Sequence, residues 1–278
     1  MQPDQKDGKK KWIVILLVGI GVVGFGIYYF LGSQPGKEPV TVGEPPKSES
    51  PDSAAKPSPG SIQAPLPAVR VTLPDSDDWV RKKSQELSPH AGWTEWLMNK
   101  NLVRRLTAAV VNIAEGKSPR KHLNFLEPQK HFSALKKDEK LYLDPQSYDR
   151  YNLFADVFSN LDASKAVGLF KEFNPLFQEA YRELGYPQGD FQAALIQTMK
   201  ELLAVPVVEG EIQVKEAVLS YWVVDDTLED LSEAQKHLLR MGPQNTRKIQ
   251  KKLREMILLL GVPENKIPAS KAYSAKNE

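Results

Sequence analysis

A mainly helical α+β domain carrying a small antiparallel sheet is the fold class this chain predicts, and three observations carry it. Long stretches after about residue 90 repeat apolar residues at three- and four-residue steps, the period of an amphipathic helix. Two segments read differently: a short hairpin at 131–143 and a run of β-branched and aromatic residues at 212–224. Ahead of them stand an uncharged apolar run, Trp12–Leu31, and a Pro- and Ser-rich stretch. The chain therefore divides into a cytoplasmic N-terminus (1–11), one transmembrane helix (12–31), a disordered linker (32–68), a globular domain (69–262) and a flexible tail (263–278).

The apolar run, at the helical rise of about 1.5 Å per residue, spans about 30 Å, a bilayer's hydrocarbon thickness. Lys6, Lys9, Lys10 and Lys11 precede it, and Lys37 is the only Lys or Arg close behind it, so the positive-inside rule places everything after Gly32 outside the cytoplasm. Its exit, Tyr28-Tyr29-Phe30-Leu31-Gly32-Ser33, lacks the small-x-small pair of a signal-peptide cleavage site, while Trp12, Tyr28 and Tyr29 suit interfacial aromatic belts. Its glycines are never four apart, so no GxxxG pairing motif is present. Residues 32–68 hold almost no large apolar side chains and cannot offset chain entropy by burial, which makes them a spacer of extended polyproline character.

Within the domain, Asp75 or Ser76 caps a first helix from Asp77 to Leu87. A second runs from Trp93 to Glu115, its apolar face built from Trp93, Trp96, Leu97, Leu102, Val103, Leu106, Val110 and Ile113, and Gly116 ends it. His131–Leu135 and Lys140–Leu143 form the hairpin. Asp144 or Ser147 starts a helix through Phe158, Asp162 caps another to Leu184, and Phe191–Leu203 is a third. Ile212–Val224 reads as one strand, and Thr227–Met241 and Pro243–Leu260 close the domain around a Gly242-Pro243 junction. The tail beyond Pro263 is polar and expected to fray.

Chemistry is harder to find. The whole chain is +2, of which residues 69–278 hold only +1, far from a nucleic-acid binder's basic excess. There is no cysteine, hence no disulfide, thiol catalysis or thiolate metal site. No Gly-x-Ser-x-Gly elbow and no His-Glu-x-x-His pair occurs; a Ser–His pair assembled by the fold stays open, with His237, beside Lys236 on a charged helix, the most ordinary of the four histidines. Glu115-Gly116-Lys117-Ser118 imitates the end of a P-loop, but Val111 stands where the upstream glycine belongs, so it reads as a helix C-cap. Asp225, Asp226, Glu229 and Asp230 could meet a divalent cation or simply serve the first turn of a helix, and the second reading needs nothing else. The basic face of the last helix (Arg247, Lys248, Lys251, Lys252, Arg254) reads as solvated or as a seat for an anionic surface. Tyr148, Tyr151, Tyr181, Tyr186, Tyr221 and Trp222 could line a groove or belong to the core.

Several segments recur in order: Ser76-Asp77 with Val80, Leu102-Val103-Arg104-Arg105, Tyr148-Asp149-Arg150-Tyr151, Asn174-Pro175-Leu176 with Glu179-Ala180-Tyr181, Leu184-Gly185-Tyr186-Pro187, and Leu239-Arg240-Met241-Gly242-Pro243-Gln244-Asn245. Together they resemble the bacterial domain-of-unknown-function family number 3014 over roughly residues 65–260. The resemblance implies an anchored Gram-negative envelope protein and carries no activity or catalytic residue with it. Arg150, Tyr151, Glu179, Tyr181, Arg240 and Asn245 are the candidate binding residues, since such charged and aromatic groups either tie helices together or present a recognition surface. The expectation is a single-pass inner-membrane protein displaying a periplasmic domain for interaction or scaffolding, without metal or cofactor. Its partners would be the bilayer through 12–31 and another envelope protein or cell-wall polymer, with no nucleic acid. An envelope enzyme such as a cell-wall hydrolase is the alternative, and a nucleic-acid binder of inverted topology the second.

Overall fold

The computed structural model describes residues 71–128, 132–217 and 220–277, so the expected membrane helix and linker lie outside the described residues. Among the described residues no helix is long and apolar enough to cross a membrane. What is described is mainly helical with a small antiparallel sheet, the expected class.

Helix α1 (Ser76–Ser84) continues into a 3₁₀ turn, Gln85–Leu87. The single helix expected over Trp93–Glu115 is instead two, α2 (Ala91–Leu97) and α3 (Leu102–Ala114), separated where Asn101 turns left-handed at φ 56°. The break is stabilised from a distance: the Asp77 carboxylate accepts from Asn101 N (2.6 Å) and Leu102 N (2.8 Å), capping α3 from inside α1. Strands β1 (Ala134–Lys137) and β2 (Lys140–Leu143) form the hairpin, with Asp138 and Glu139 both at positive φ in its two-residue turn. Asp144 caps a 3₁₀ segment, Pro145–Tyr151, rather than an α-helix, and α4 (Asn152–Ser159) follows. Helix α5 (Ala163–Glu183), capped by Asp162, runs through Pro175, and α6 (Phe191–Leu203) matches its expected bounds.

The single strand expected over Ile212–Val224 is a correction. It folds back on itself as β4 (Gln213–Glu216) and β5 (Tyr221–Val223), giving a four-stranded antiparallel sheet in the order β1-β2-β4-β5. Thirteen residues of β-branched composition would be long for one strand, and Ser220 marks the reversal. The next helix also splits, into α7 (Asp226–Glu229) and α8 (Glu233–Leu239), because Ser232 and Gln235 form a capping box. Helix α9 (Gly242–Leu259) closes the helical part.

The polar tail departs furthest from expectation. After α9 the chain returns to form β6 (Ala272–Ser274), which pairs in parallel with β3 (Val207–Glu209). Its anchor is Asp225, 3% exposed, whose carboxylate accepts from the Tyr273 hydroxyl (2.8 Å) and from Lys276 N (2.7 Å). Asn277 adds bonds to Gln213 N and to the Glu211 carbonyl.

The largest apolar cluster joins the inner face of the sheet (Leu143, Ile212, Val214, Val223) to Met199 and Leu203 of α6 and Ile249, Leu253, Met256 and Ile257 of α9. Those α9 positions follow the helical period that the sequence displays. A second cluster packs Val80, Leu97, Leu102 and Val103 against Phe173, Leu176 and Ala180 of α5. A third, around Val111, Tyr181 and Phe191, closes the α3–α5–α6 corner.

Candidate functional site

The six sequence-selected residues do not meet in one place. Asn245, 2% exposed, donates Nδ2 to the Tyr148 carbonyl (3.1 Å), to Asn152 Oδ1 (2.9 Å) and to the Met241 carbonyl (3.0 Å). It ties the first turn of α9 to the 3₁₀ segment and α4, and its buried amide faces no solvent. Arg150 belongs to the same neighbourhood: its Nε donates to the Ser147 carbonyl (2.8 Å) while the guanidinium lies over Phe132 (5.5 Å) and Tyr151 (5.1 Å). Tyr181 is in the third cluster, stacked on Tyr186 with ring centroids 4.7 Å apart, and burial pushes its hydroxyl pKa up. Glu179 is exposed on α5. Arg240 ends α8.

The aromatics read as either groove lining or core do not gather in one place. Tyr148 packs against Gly242, Tyr186 donates its hydroxyl to Glu115, Tyr221 tilts on Phe132 at 5.0 Å, and Trp222 is 63% exposed on the outer face of β5. The basic helix is largely neutralised: Arg247, Lys248, Lys252 and Arg254 pair with Glu209, Asp156, Glu255 and Glu264. Two members of the acidic cluster, Asp225 and Glu229, are spent on donors. Asp225 caps α7 and holds the tail, and Glu229 accepts from Val223 N (2.8 Å) and from Lys236 Nζ (2.5 Å).

What the fold does assemble is a polar cluster between the loop after α3 and one stripe of α8. Gly116, at φ 72°, ends α3 and brings the chain against the start of α8, where its carbonyl accepts from Ala234 N (3.1 Å). From there Ser118 lies along residues spaced four and three apart on α8, which share one face. Its backbone N–H donates to Glu233 (3.1 Å), and its Oγ is 2.6 Å from His237 Nε2. Arg120 N points weakly at the same Oγ (3.4 Å), which leaves the hydroxyl proton free to go to the imidazole. His237 is held below its ordinary pKa first by burial and then by Arg240 and Arg120, so the ring is neutral near pH 7 and takes the hydroxyl proton in the tautomer that leaves Nε2 bare.

Such a pair is the start of a nucleophile–base arrangement. The surroundings do not complete it in the usual way. The residue after the serine is Pro119, which has no N–H to offer an oxyanion, and the serine's own N–H is already given to Glu233. The sequence did not single out His237. Serine and histidine stand 119 positions apart, and only the packing of the loop on α8 joins them.

Comparison with known proteins adds one match. The family model described as a protein of unknown function (DUF3014) matches residues 102–257. That is more than half of the chain. The chain belongs to the DUF3014 family. The matched span includes both halves of the Ser118–His237 cluster, Arg240 and the Gly242-Pro243 junction, whereas α1, α2 and the β6 tail lie outside it. No curated protein and no solved structure matches the chain.

Proposed function

We propose that this DUF3014 protein is a single-pass membrane protein that displays its helical domain outside the cytoplasm as an interaction module. The observation that carries the reading is the uncharged run Trp12–Leu31 with four lysines just before it, which specifies both a span and an orientation. The domain's chemistry supports an interaction role over catalysis. The buried carboxylate of Asp225, the Nδ2 group of Asn245 and most basic side chains, such as Lys248, are engaged in internal hydrogen bonds and ion pairs. The same pairing argues against the nucleic-acid alternative. Another envelope protein or a cell-wall polymer is the partner class this placement offers.

A reporter enzyme active only in the periplasm, fused after Asn277, tests the topology. Activity is expected; a silent fusion in membranes that contain the protein overturns the reading. Crosslinking in the native envelope should then enrich a partner dependent on residues 71–277. The 2.6 Å Ser118–His237 pair favours one second reading, an envelope hydrolase. A serine-directed fluorophosphonate should label wild type and spare Ser118→Ala if that reading holds; no labelling of folded protein removes it.

A further inference from the structure

On α8 the residues Glu233, His237 and Arg240 share one face at four- and three-residue steps. The loop beginning at Ser118 occupies the first two stations: its amide goes to Glu233 and its hydroxyl to His237. The third is different. Arg240 is half-buried, and among the described residues its guanidinium forms no hydrogen bond and no ion pair. Arg120 lies two residues beyond Ser118 on the loop: its backbone N–H faces the serine hydroxyl, its guanidinium pairs with Glu127, and its charge is felt at the His237 ring.

The α8 stripe and the loop thus bring two arginine charges to bear on the His237 ring, and among the described residues Arg240 has no counter-ion. Arginine presents a planar fork of donors matched to oxyanions, and the fork of Arg240, a half-buried residue, meets no protein acceptor among the described residues. As a cation in the last turn of α8, Arg240 also opposes the helix's negative end, a service a lysine would give equally well. The fork is what needs a further partner.

We infer that Arg240, with Arg120, His237 and Ser118 beside it, forms a binding site for a phosphate group, either free or borne by a lipid headgroup. The Arg240 fork takes two of its oxygens and Arg120 lends charge. The Ser118–His237 hydrogen bond holds the loop in place as the site's wall. The inference stands on the α8 stripe and the Ser118 loop, so it does not depend on where the domain lies relative to the membrane.

The test uses the full chain in a neutral detergent, titrated with inorganic phosphate at pH 7, with acetate as control. Phosphate should raise the melting temperature and move the His237 ring titration to higher pH, because an anion beside the ring favours its protonated form. Arg240→Ala and Arg240→Lys should each weaken phosphate binding by about tenfold or more, the loss expected when a charge-assisted fork is removed. The lysine variant keeps the helix-end cation, so a fold that needs only that charge is preserved while the site is lost. Vesicles containing phosphatidylglycerol distinguish the sources. If they compete with phosphate on wild type, the ligand is a headgroup; if phosphate binds and the vesicles do not compete, it is a soluble phosphate. A phosphate response equal to that of acetate, or undiminished in Arg240→Lys, overturns the inference.

Discussion

At the scale of single residues, Gly242 and His237 each hold a conformation that a sequence pattern alone does not explain. Gly242 sits at φ 82°, and a Cβ placed there would lie 2.4 Å from Cγ of Tyr148. The Arg-Met-Gly-Pro block is therefore a packing device as well as a helix junction: the glycine lets the Tyr148 ring lie on the start of α9, while Asn245 one turn later holds the Tyr148 carbonyl. Gly242→Ala adds left-handed strain and overpacking together and should cost roughly 2–4 kcal/mol by denaturant titration; a variant as stable as wild type would show that the ring can move aside freely. His237 brings a pH dependence whose sign follows from its partners. Burial first, then Arg240 and Arg120, lower its pKa in the folded state below the ordinary 6.5, and His122 is lowered similarly by burial, Lys121 and Arg105. The unfolded chain thus binds these protons more readily, so stability is full above pH 6.5 and falls as the pH drops from there toward the folded-state values. The melting temperature should decline between pH 7 and pH 5, and His237→Gln should flatten that slope. Carboxylates held low, such as Glu115 by Lys117 and Tyr186, add their own loss only below about pH 4.5. An unchanged slope in His237→Gln would mean that His237 takes up its proton as readily in the folded chain as in the unfolded one.

At the scale of elements, what was legible in the sequence was whatever a local signal determines. Asp162 and Asp190 cap α5 and α6 through their own side chains, and Gly116 and Gly185 stop helices at positive φ, so those bounds agree with expectation. The α2–α3 break was hidden because its cap, Asp77, lies 24 residues upstream of the amide it accepts from. The α7–α8 break had a local signature, Ser232 with Gln235 three residues on, which the apolar periodicity across it masked. The hairpin inside 212–224 was obscured because both of its strands carry β-branched residues, and composition does not mark a reversal. The candidate site was legible only as separate residues: Arg240 stood out in the motif, but Ser118 and His237 meet through tertiary packing. The tail was the largest departure, since its polar composition conceals a strand whose energy resides in Asp225. Burial pushes that carboxyl's pKa up, yet the Lys276 amide, the Tyr273 hydroxyl and the amides of Thr227 and Leu228 together bring it below the ordinary value. Asp225→Ala strands several buried donors at once and should cost roughly 3 kcal/mol. Amide exchange should accelerate at Val207 and Tyr273 while α3 keeps its protection. Equal protection at Tyr273 in the variant would show that β6 is held by the strand ladder without its clamp.

At the scale of the whole molecule, the described domain carries its own core. Among the described residues the apolar clusters run from Leu73 to Ile267, with further side chains packed on them, and buried hydrogen bonds tie that range to itself and to the tail. The β6 tail matters here, because it makes residues 263–277 part of the folding unit while the DUF3014 match stops at residue 257. A boundary drawn from the family match alone would remove β6 along with the partners of Val207 and Asp225. If residues 1–64 serve only to place the domain, cutting them away should leave its stability alone. In spheroplasts bearing the full chain, an added protease should cut in the Pro- and Ser-rich stretch before residue 65 and release one fragment that runs through residue 277. That fragment should unfold in one cooperative step, at the melting temperature of the full chain in detergent within about 2–4 °C, the shift a change of only about 1 kcal/mol produces in a domain of this size. A fragment lacking residues 263–277 should melt lower, because the strand and its clamp are gone. Protection of the domain from protease unless the membrane is permeabilised would place it on the cytoplasmic side and reverse the proposed topology. Release of a fragment that melts well below the full chain would instead give residues before 65 a share in the fold.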